Sequence, residues 1–321
     1  MEGLGSGARK YAIEKWLKLL AGRKDRNARA WSRLLMERDK DAEGWIEEII
    51  RRFINESAEN TLSNETHEKA WADPLVGYSS GDDQLYLFYK EDIGEFYLTP
   101  IEFFNNSFPE SRAKPRDLTV ISWILPQTDA TRSEHRIQKK YPTERWVRAR
   151  MYGEEVNDKL RRHVVEAFFN SGIDAVAPLL SPLWSAKTSK RYGYASTWSE
   201  RHAAYAAGLG TFGLSDGLIT PKGKAMRCGS VIARIQIPAS SRPYKDHNEY
   251  CLFYSQGTCG KCIERCPVGA ISRTGHDKNK CSAYLNTMWE YVRINYGFKG
   301  YGCGLCQTGV PCESGIPPRK T

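Results

Sequence analysis

The sequence predicts a mixed α+β chain in which an N-terminal helical layer precedes an α/β domain and a cysteine-rich C-terminal module. Apolar residues before residue 55 recur at helical spacing, and strand-like and helix-like runs alternate from about residue 75 to residue 245. Eight of the nine cysteines follow residue 250. At 321 residues the chain is long enough for more than one core. The expected regions are residues 1–74, 75–245 and 246–321.

The N-terminal region contains two helical patterns, over residues 9–20 and 28–55. In the second pattern the apolar side chains that follow the helical period are Trp31, Leu34, Leu35, Trp45, Ile46, Ile49, Ile50 and Phe53. A polar stretch from Asn55 to Thr66 follows and predicts a linker.

The middle region predicts alternating strands and helices. One helix carries an apolar stripe every four residues, which a sheet can cover; its members are Val156, Leu160, Val164 and Phe168. We expect strands over residues 85–89, 118–125, 173–180 and 229–237, and helices over residues 154–170 and 199–207.

Composition predicts a soluble protein. Hydrophobic residues make up 40% and charged residues 26% of the chain, and no segment approaches the ~18 apolar residues that a membrane span requires. The start of the sequence has neither the apolar core of a signal peptide nor a twin-arginine pair. We therefore expect a cytoplasmic protein with no membrane partner, whose cysteines are reduced and serve metals or chemistry.

The most specific motif is a cysteine run, Cys259-Gly-Lys-Cys262-Ile-Glu-Arg-Cys266-Pro267. It matches the last three cysteines of the bacterial ferredoxin run Cys-x2-Cys-x2-Cys-x3-Cys-Pro, in which the last cysteine binds the other of two 4Fe-4S clusters. Gln256 stands where the first cysteine of that run would be. We expect Cys251, five residues upstream, to take its place.

A second group of cysteines brings the number of thiolates to eight, which is what two cubane clusters need. The pseudo-twofold pattern of ferredoxins predicts that the first cluster takes Cys251, Cys259, Cys262 and Cys312, and that the second takes Cys266, Cys281, Cys303 and Cys306. The alternative is a pair of four-thiolate zinc sites, which usually lack the Cys-x3-Cys-Pro continuation. The ninth cysteine, Cys228, is expected to be a buried, unreactive thiol.

A basic segment between residues 132 and 150 carries much of the net charge of +9. Its basic residues are Arg132, Arg136, Lys139, Lys140, Arg145, Arg148 and Arg150. With Tyr141 and Trp146 interleaved, the segment is able to grip phosphates and stack on bases or on a planar cofactor. The plainer interpretation is a solvated loop and helix face.

Three stretches together resemble the epoxyqueuosine reductases and their relatives, the reductive dehalogenases. The first runs from Glu200 to Pro221 and contains Ala207-Gly208-Leu209-Gly210; the second is Cys259 to Ile271. The third combines Lys280-Cys281-Ser-Ala-Tyr-Leu with Gly302-Cys303-Gly-Leu-Cys306-Gln307. The resemblance covers residues 115–315. It implies a nitroreductase-like, corrinoid-binding α/β domain joined to a bacterial-ferredoxin-like module with two 4Fe-4S clusters.

The resemblance implies cobalamin, bound without its lower base, as a further cofactor. The residues it would place against the corrinoid are Gly208, Leu209, Gly210, Thr211 and Gly213. Glycines there permit close approach of the backbone to a large flat ligand. The alternative is that they only let a helix turn tightly into a strand. The Asp-x-His-x-x-Gly signature of corrinoid proteins with an axial histidine is absent.

The chain departs from this family at two points. Epoxyqueuosine reductases carry an Asp-Tyr-His segment that supplies a proton, whereas the corresponding residues here are Arg150-Met151-Tyr152-Gly153-Glu154. Tyr152 is the candidate proton donor, because the dehalogenase relatives use a tyrosine, although a structural tyrosine is an equal alternative. The family's last motif is Cys-x3-Cys-Pro-Trp, and this chain instead has Cys306-Gln-Thr-Gly-Val-Pro-Cys312.

These features predict a cobalamin-dependent iron-sulfur reductase that receives electrons from a ferredoxin, a flavodoxin or a similar low-potential donor. Its substrate would be a tRNA or a small molecule. The alternative is a ferredoxin-like electron-transfer protein without a corrinoid or substrate chemistry of its own. The missing twin-arginine leader argues against a role in organohalide respiration.

Overall fold

The computed structural model describes residues 41–319, and its strands and helices follow in chain order. The strands are β1 (Leu75–Ser80), β2 (Thr119–Pro126), β3 (Ala175–Val176), β4 (Ala186–Ser189), β5 (Gly193–Ser196), β6 (Thr211–Phe212), β7 (Leu218–Ile219), β8 (Met226–Ala233), β9 (Ile271–Ser272) and β10 (Gly275–His276). The helices are α1 (Ala42–Glu56), α2 (Gln84–Ile93), α3 (Pro100–Ser107), α4 (Asp129–Arg136), α5 (Glu144–Asn170), α6 (Glu200–Ala206), α7 (Leu252–Gln256), α8 (Lys261–Glu264) and α9 (Lys278–Tyr296). Short 3-10 turns cover Pro115–Asp117, Pro178–Leu180 and Leu305–Gln307.

The centre of the protein is a four-stranded antiparallel sheet in the order β1-β2-β8-β3. All eight residues of β2 are buried, as expected for a strand whose two faces are both covered. Strands β2 and β8 pair along their whole length, from Thr119 opposite Ala233 to Pro126 opposite Met226. The strand expected over residues 118–125 is thus confirmed within one residue, and the one expected over residues 229–237 is found at Met226–Ala233; the mixed α+β class is confirmed with them.

Helices α1 and α5 cover one face of the sheet. Their apolar sides meet in a core that includes Trp45 on α1, Phe168 on α5 and Trp123 on β2. Asp41 begins α1 by accepting a hydrogen bond from the Gly44 N–H at 2.9 Å. The described part of the expected N-terminal helix therefore shares its core with the sheet. The expected helix over 9–20, and residues 28–40 of the second, lie outside the described residues.

Helices α2, α3 and α6 cover the other face with a second, largely aromatic core. The strand expected over residues 85–89 is wrong, because this stretch is part of α2. Asp83 caps that helix by accepting from the Leu85 N–H, and the buried side chains Tyr86, Tyr89 and Ile93 recur at helical spacing. A run of aromatic residues that suits a strand is here the buried face of a helix.

Two further boundaries differ from expectation. Helix α5 begins at Glu144 rather than near residue 154, since Thr143 caps it by accepting from the Trp146 N–H. The strand expected over residues 173–180 pairs only at Ala175 and Val176. It ends there because Pro178 has no N–H to donate and starts a 3-10 turn.

The pairing of Trp123 with Gly229 across β2 and β8 leaves no room for a larger residue. A Cβ on Gly229 would lie 2.4 Å from Nε1 of Trp123. We expect Gly229→Ala to lower the free energy of unfolding by roughly 1–3 kcal/mol through overpacking, measured by urea denaturation. Gly315→Ala is the control, since the nearest atom to its Cβ would be 3.7 Å away; equal losses in the two variants would contradict this explanation.

The C-terminal region is built from short helices, the β9–β10 hairpin and the long helix α9. A small apolar core joins it to the middle region, with Leu214 and Ile219 from the β6–β7 hairpin packed against Cys251, Cys262 and neighbouring residues. None of the helices between residues 41 and 319 is long and apolar enough to cross a membrane. The expected boundaries at residues 74 and 245 stay predictions.

Candidate metal centres

The first predicted group of cysteines lines one pocket. Cys251 precedes α7, Cys262 lies in α8 with Cys259 three residues before it, and Cys312 comes from the C-terminal loop. All four border a space of about 360 Å³ that is partly open to solvent. Apolar residues from the β6–β7 hairpin, among them Leu214 and Ile219, close one side of it. Side chains up to 61 positions apart in the sequence therefore face the same volume.

The second predicted group also comes together. Cys281 is in the first turn of α9, and Cys303 and Cys306 flank the start of a 3-10 turn that Gly304 enters with φ of 66°. Burial raises the pKa of the Cys303 thiol to about 12, and the neighbouring Cys306, Cys281 and Cys266 add to this increase. Such mutual effects require that the thiols be close to one another.

The two groups are neighbours as well. Burial raises the pKa of Cys262 to about 11, and the thiols that contribute are Cys306 of the second group as well as Cys312 and Cys251 of its own. Within residues 41–319, no three Cys, His, Asp or Glu side chains are close enough together to hold one metal ion. The donor set of four thiols around a pocket fits a 4Fe-4S cubane, whose ligands surround a volume rather than a point.

Backbone and side-chain donors favour negative sulfur in these groups. The Ala270 N–H donates to Sγ of Cys266 at 3.1 Å. Burial raises the pKa of Cys306, while the ammonium of Lys224 and the hydroxyl of Ser215 act in the opposite direction. Charge and hydrogen bonds near the sulfurs are among the factors that set the potential of an iron-sulfur site.

Cys228, the ninth cysteine, is apart from both groups. It lies in β8 opposite Ile124, is 8% exposed, and burial raises the pKa of its thiol to about 12. A neutral, buried thiol is unreactive. The expectation of a buried residue is confirmed.

The glycine-rich segment packs against the protein's own backbone. A Cβ on Gly208 would lie 2.3 Å from the Ser241 carbonyl oxygen, and one on Gly210 would lie 2.2 Å from the Ile219 carbonyl oxygen. Gly208 also has φ of 77°, which favours glycine. Leu209 is 8% exposed in an apolar cluster. The absence of a side chain at residues 208 and 210 therefore allows close packing against the protein's own backbone, and a role of these glycines in cofactor binding stays a prediction.

The rest of this segment is used in the hairpin that supports the first cysteine group. Thr211 accepts a hydrogen bond from the Tyr250 N–H at 2.9 Å, next to Cys251. The Gly213 N–H donates to the Gly217 carbonyl. A role of these residues in cofactor binding stays a prediction.

Tyr152, the predicted proton donor, lies on α5 beside the C-terminal module. Its ring is 5.9 Å from that of Phe298, and the Arg148 guanidinium lies over both rings. Arg148 itself donates to Glu144 and to the Ser63 carbonyl, each at 2.7 Å. The cation thus covers the face of the Tyr152 ring and is held by other acceptors. A catalytic role for Tyr152 stays a prediction.

The basic segment lies along the seam between the middle region and the C-terminal module. Arg136 pairs with Glu313 at 2.6 Å, and the rings of Tyr141 and Tyr291 stack with centroids 4.1 Å apart. The Tyr296 hydroxyl donates to the Pro142 carbonyl. A Cβ on Gly304 would lie 2.0 Å from the Trp146 ring. Many of these residues therefore join two parts of the protein, a role that their charge pattern did not indicate.

An ionic network that no sequence motif indicates lies beneath β8. The Arg161 side chain is 1% exposed and pairs with Glu154, Asp158 and Glu200. Glu200 in turn accepts from the Ser230 hydroxyl. In the sequence, only the helical pattern of α5 could have indicated this network, because Arg161 follows Leu160 on the buried side of the helix. A buried arginine of this kind anchors α5 to α6 and to the sheet.

No family model matches the chain. It is 34% identical over 124 residues to the epoxyqueuosine reductase of Bacillus cereus, which is 37% of this chain and 30% of that protein's length. It is 27% identical over 247 residues to the epoxyqueuosine reductase of Leadbetterella byssophila, with 70% of each chain covered. A catabolic reductive dehalogenase in complex with 3-bromo-4-hydroxybenzoic acid aligns with a TM-score of 0.48 at 14% identity, over 85% of this chain and 37% of that one.

The class is that of mixed α+β proteins in which a sheet covered by helices on both faces is joined to a cysteine-rich module. Within it, the chain is similar in sequence to epoxyqueuosine reductases. The matched stretch spans less than a third of the Bacillus cereus relative.

Proposed function

We propose that the chain is an iron-sulfur oxidoreductase resembling epoxyqueuosine reductase, with two 4Fe-4S clusters and a cobalamin. The observation that supports this most directly is the pocket lined by four cysteines, beside which the other four lie close enough to raise one another's pKa. When bound, the clusters would supply single-electron transfer at low potential.

In this proposal the chain's own residues do three things for the clusters. Cys251, Cys259, Cys262 and Cys312 hold one, and Cys266, Cys281, Cys303 and Cys306 hold the other. Leu214, Ile219 and Val310 keep water from part of the first site. The Ala270 N–H stabilises the Cys266 sulfur. The chain has nine free cysteines, and eight of them serve the two clusters. Only Cys228 is left, which is too few for a third cluster.

Cobalamin is proposed from the family resemblance alone. Where a Cβ would stand, Gly208 and Gly210 approach protein, and their role in binding cobalamin stays a prediction. Tyr152 is the proposed proton donor for the reduced substrate, which would be a tRNA or a small molecule, and the electron donor would be a low-potential protein such as a ferredoxin or flavodoxin.

The test is a cofactor analysis of protein purified without oxygen. We expect a brown protein with about eight iron atoms per chain, four for each cubane, and with visible absorption that bleaches on addition of dithionite. Colourless protein that contains zinc would overturn the proposal. Addition of cobalamin should give a corrinoid spectrum that stays with the protein on gel filtration.

A second candidate is an electron-transfer protein without a corrinoid, and the packing of Gly208 and Gly210 against protein favours it. Brown protein that retains no cobalamin would support this candidate and reject the first. Binding of tRNA is a separate question. The pairing of Arg136 and Arg145 with carboxylates reduces the charge available for phosphates, so binding that does not weaken with added salt would count against an electrostatic tRNA site.

A further inference from the structure

Lys224 brings a positive charge from the middle region into the cysteine-rich module. It follows Gly223, which has φ of 85° and at which a Cβ would lie 2.1 Å from the Glu313 carbonyl oxygen. Only glycine permits this approach. The Lys224 N–H then donates to the Cys312 carbonyl at 2.8 Å. The turn before β8 is therefore hydrogen-bonded to the loop that supplies Cys312.

The side chain of Lys224 is enclosed. The residue is 3% exposed, and it borders the same pocket as Cys251, Cys259, Cys262 and Cys312. Gly217 makes room for it, since a Cβ there would lie 2.8 Å from Cδ of Lys224. Its ammonium donates to Oγ of Ser215 at 3.1 Å, and Ser215 also acts on Cys306 of the second group.

The partners of this buried cation are thiols. In the described part of the chain no carboxylate forms an ion pair with Lys224, and an unpaired buried ammonium is strongly unfavourable. Burial by itself would lower the pKa of Lys224, but Cys312, Cys306, Cys262 and Cys251 outweigh burial and raise it. Sulfur atoms that give up their protons to hold iron would be the negative charge that Lys224 faces across this pocket.

We propose that Lys224 holds a fixed positive charge between the two cluster sites. This charge raises the reduction potential of the first cluster and, to a smaller extent, that of the second. This inference rests on the proposed function. Reduction adds one electron to a site that is already negative, so a nearby cation stabilises the reduced form. Burial protects this interaction from screening by salt.

The proposed role makes the first site the more favourable place for an electron. Lys224 borders the pocket of the first group, whereas it is linked to Cys306 of the second group through Ser215. One side chain from the middle region would then favour movement of an electron toward the first site.

The experiment is a redox titration followed by electron paramagnetic resonance, on the full chain with both clusters, for the wild type, Lys224→Gln and Lys224→Arg. At a fixed potential, Lys224→Gln should lower the ratio of reduced to oxidised first cluster about tenfold, which is about 59 mV for a one-electron couple. Lys224→Arg should stay close to the wild type, because it keeps the charge.

Two further lysines serve as controls. Lys222 is on the same turn but points to Asp73, at 2.7 Å, and Lys261 is next to Cys262 but is exposed and pairs with Glu264. Replacing either lysine with glutamine should not shift the redox titration curve. The Lys222 ammonium is directed away from the cluster sites, and the Lys261 ammonium is screened by water.

The outcomes separate the two proposals. Wild-type protein without clusters would overturn the proposed function. Clusters that titrate alike in the wild type and in Lys224→Gln would overturn the role of Lys224 alone. If Lys224→Gln loses iron while Lys224→Arg keeps it, the requirement for charge is supported, and if both lose iron, the side chain acts by shape and the inference is wrong.

Discussion

Replacing Cys262 with serine should leave a protein that holds one cluster, with about four iron atoms per chain in place of about eight. Cys262 is 8% exposed and borders the pocket with the rest of its group. A serine hydroxyl stays protonated at neutral pH and is a poor replacement for a thiolate on iron. Iron and sulfide analysis, with electron paramagnetic resonance of the reduced protein, measures the loss.

The grouping of the ligands can be tested by pairs of substitutions. A second change of Cys312 to serine should cost no further iron, because the proposed assignment gives both residues to the same cluster, whereas a second change of Cys306 should remove the remaining cluster. Cys228→Ser is the matched control, a buried cysteine outside both groups, and should retain all the iron. Iron loss in that control, or the reverse pattern in the pairs, would refute the assignment.

Removal of the buried guanidinium in Arg161→Met should lower the free energy of unfolding by about 3–5 kcal/mol. The Arg161 side chain is 1% exposed and Glu200, its partner at 3.0 Å, is 12% exposed, so the change leaves a carboxylate in the interior without its counter-ion. Urea denaturation followed by tryptophan fluorescence reports on this region, since Trp123 and Trp198 are buried in it.

The matched control for this change is Arg293→Met, which breaks an exposed pair with Glu290 and should hardly alter stability. Adding Glu200→Gln to Arg161→Met should recover part of the loss, because the amide has no charge to bury. Equal effects of the two arginine substitutions would show that the network under β8 is not held by its charges.

The sequence could predict that the cysteines lie near one another because ligands of a cluster follow characteristic spacings in a chain. The Cys259 to Pro267 run and the Cys303-Gly-Leu-Cys306 pair name most of the members, and in the structure these thiols act on one another. The central strands were also predictable, since β2 and β8 are almost wholly buried and most of their residues are apolar.

Other features depend on long-range packing and leave no local pattern. Lys222 and Lys224 are separated by one glycine, yet one pairs with Asp73 while the other is enclosed among thiols. Only the turn at Gly223 and its approach to Glu313 distinguish them. Likewise, the charges of residues 132–150 suggested a ligand surface, whereas the acceptors for Arg136 and Arg145 are Glu313, Glu68 and Glu134, two of them distant in sequence.

The stacked rings and tyrosine hydroxyls along this seam have a consequence for electron tunnelling. Tyr141 on Tyr291 and Tyr296 on the Pro142 carbonyl are contacts that added salt does not weaken. They hold the cysteine-rich module against α5. In the proposed reductase, an electron that passes from this module to a cofactor of the middle region would cross a distance that salt does not change, so the rate of that step should be the same in dilute and in concentrated buffer.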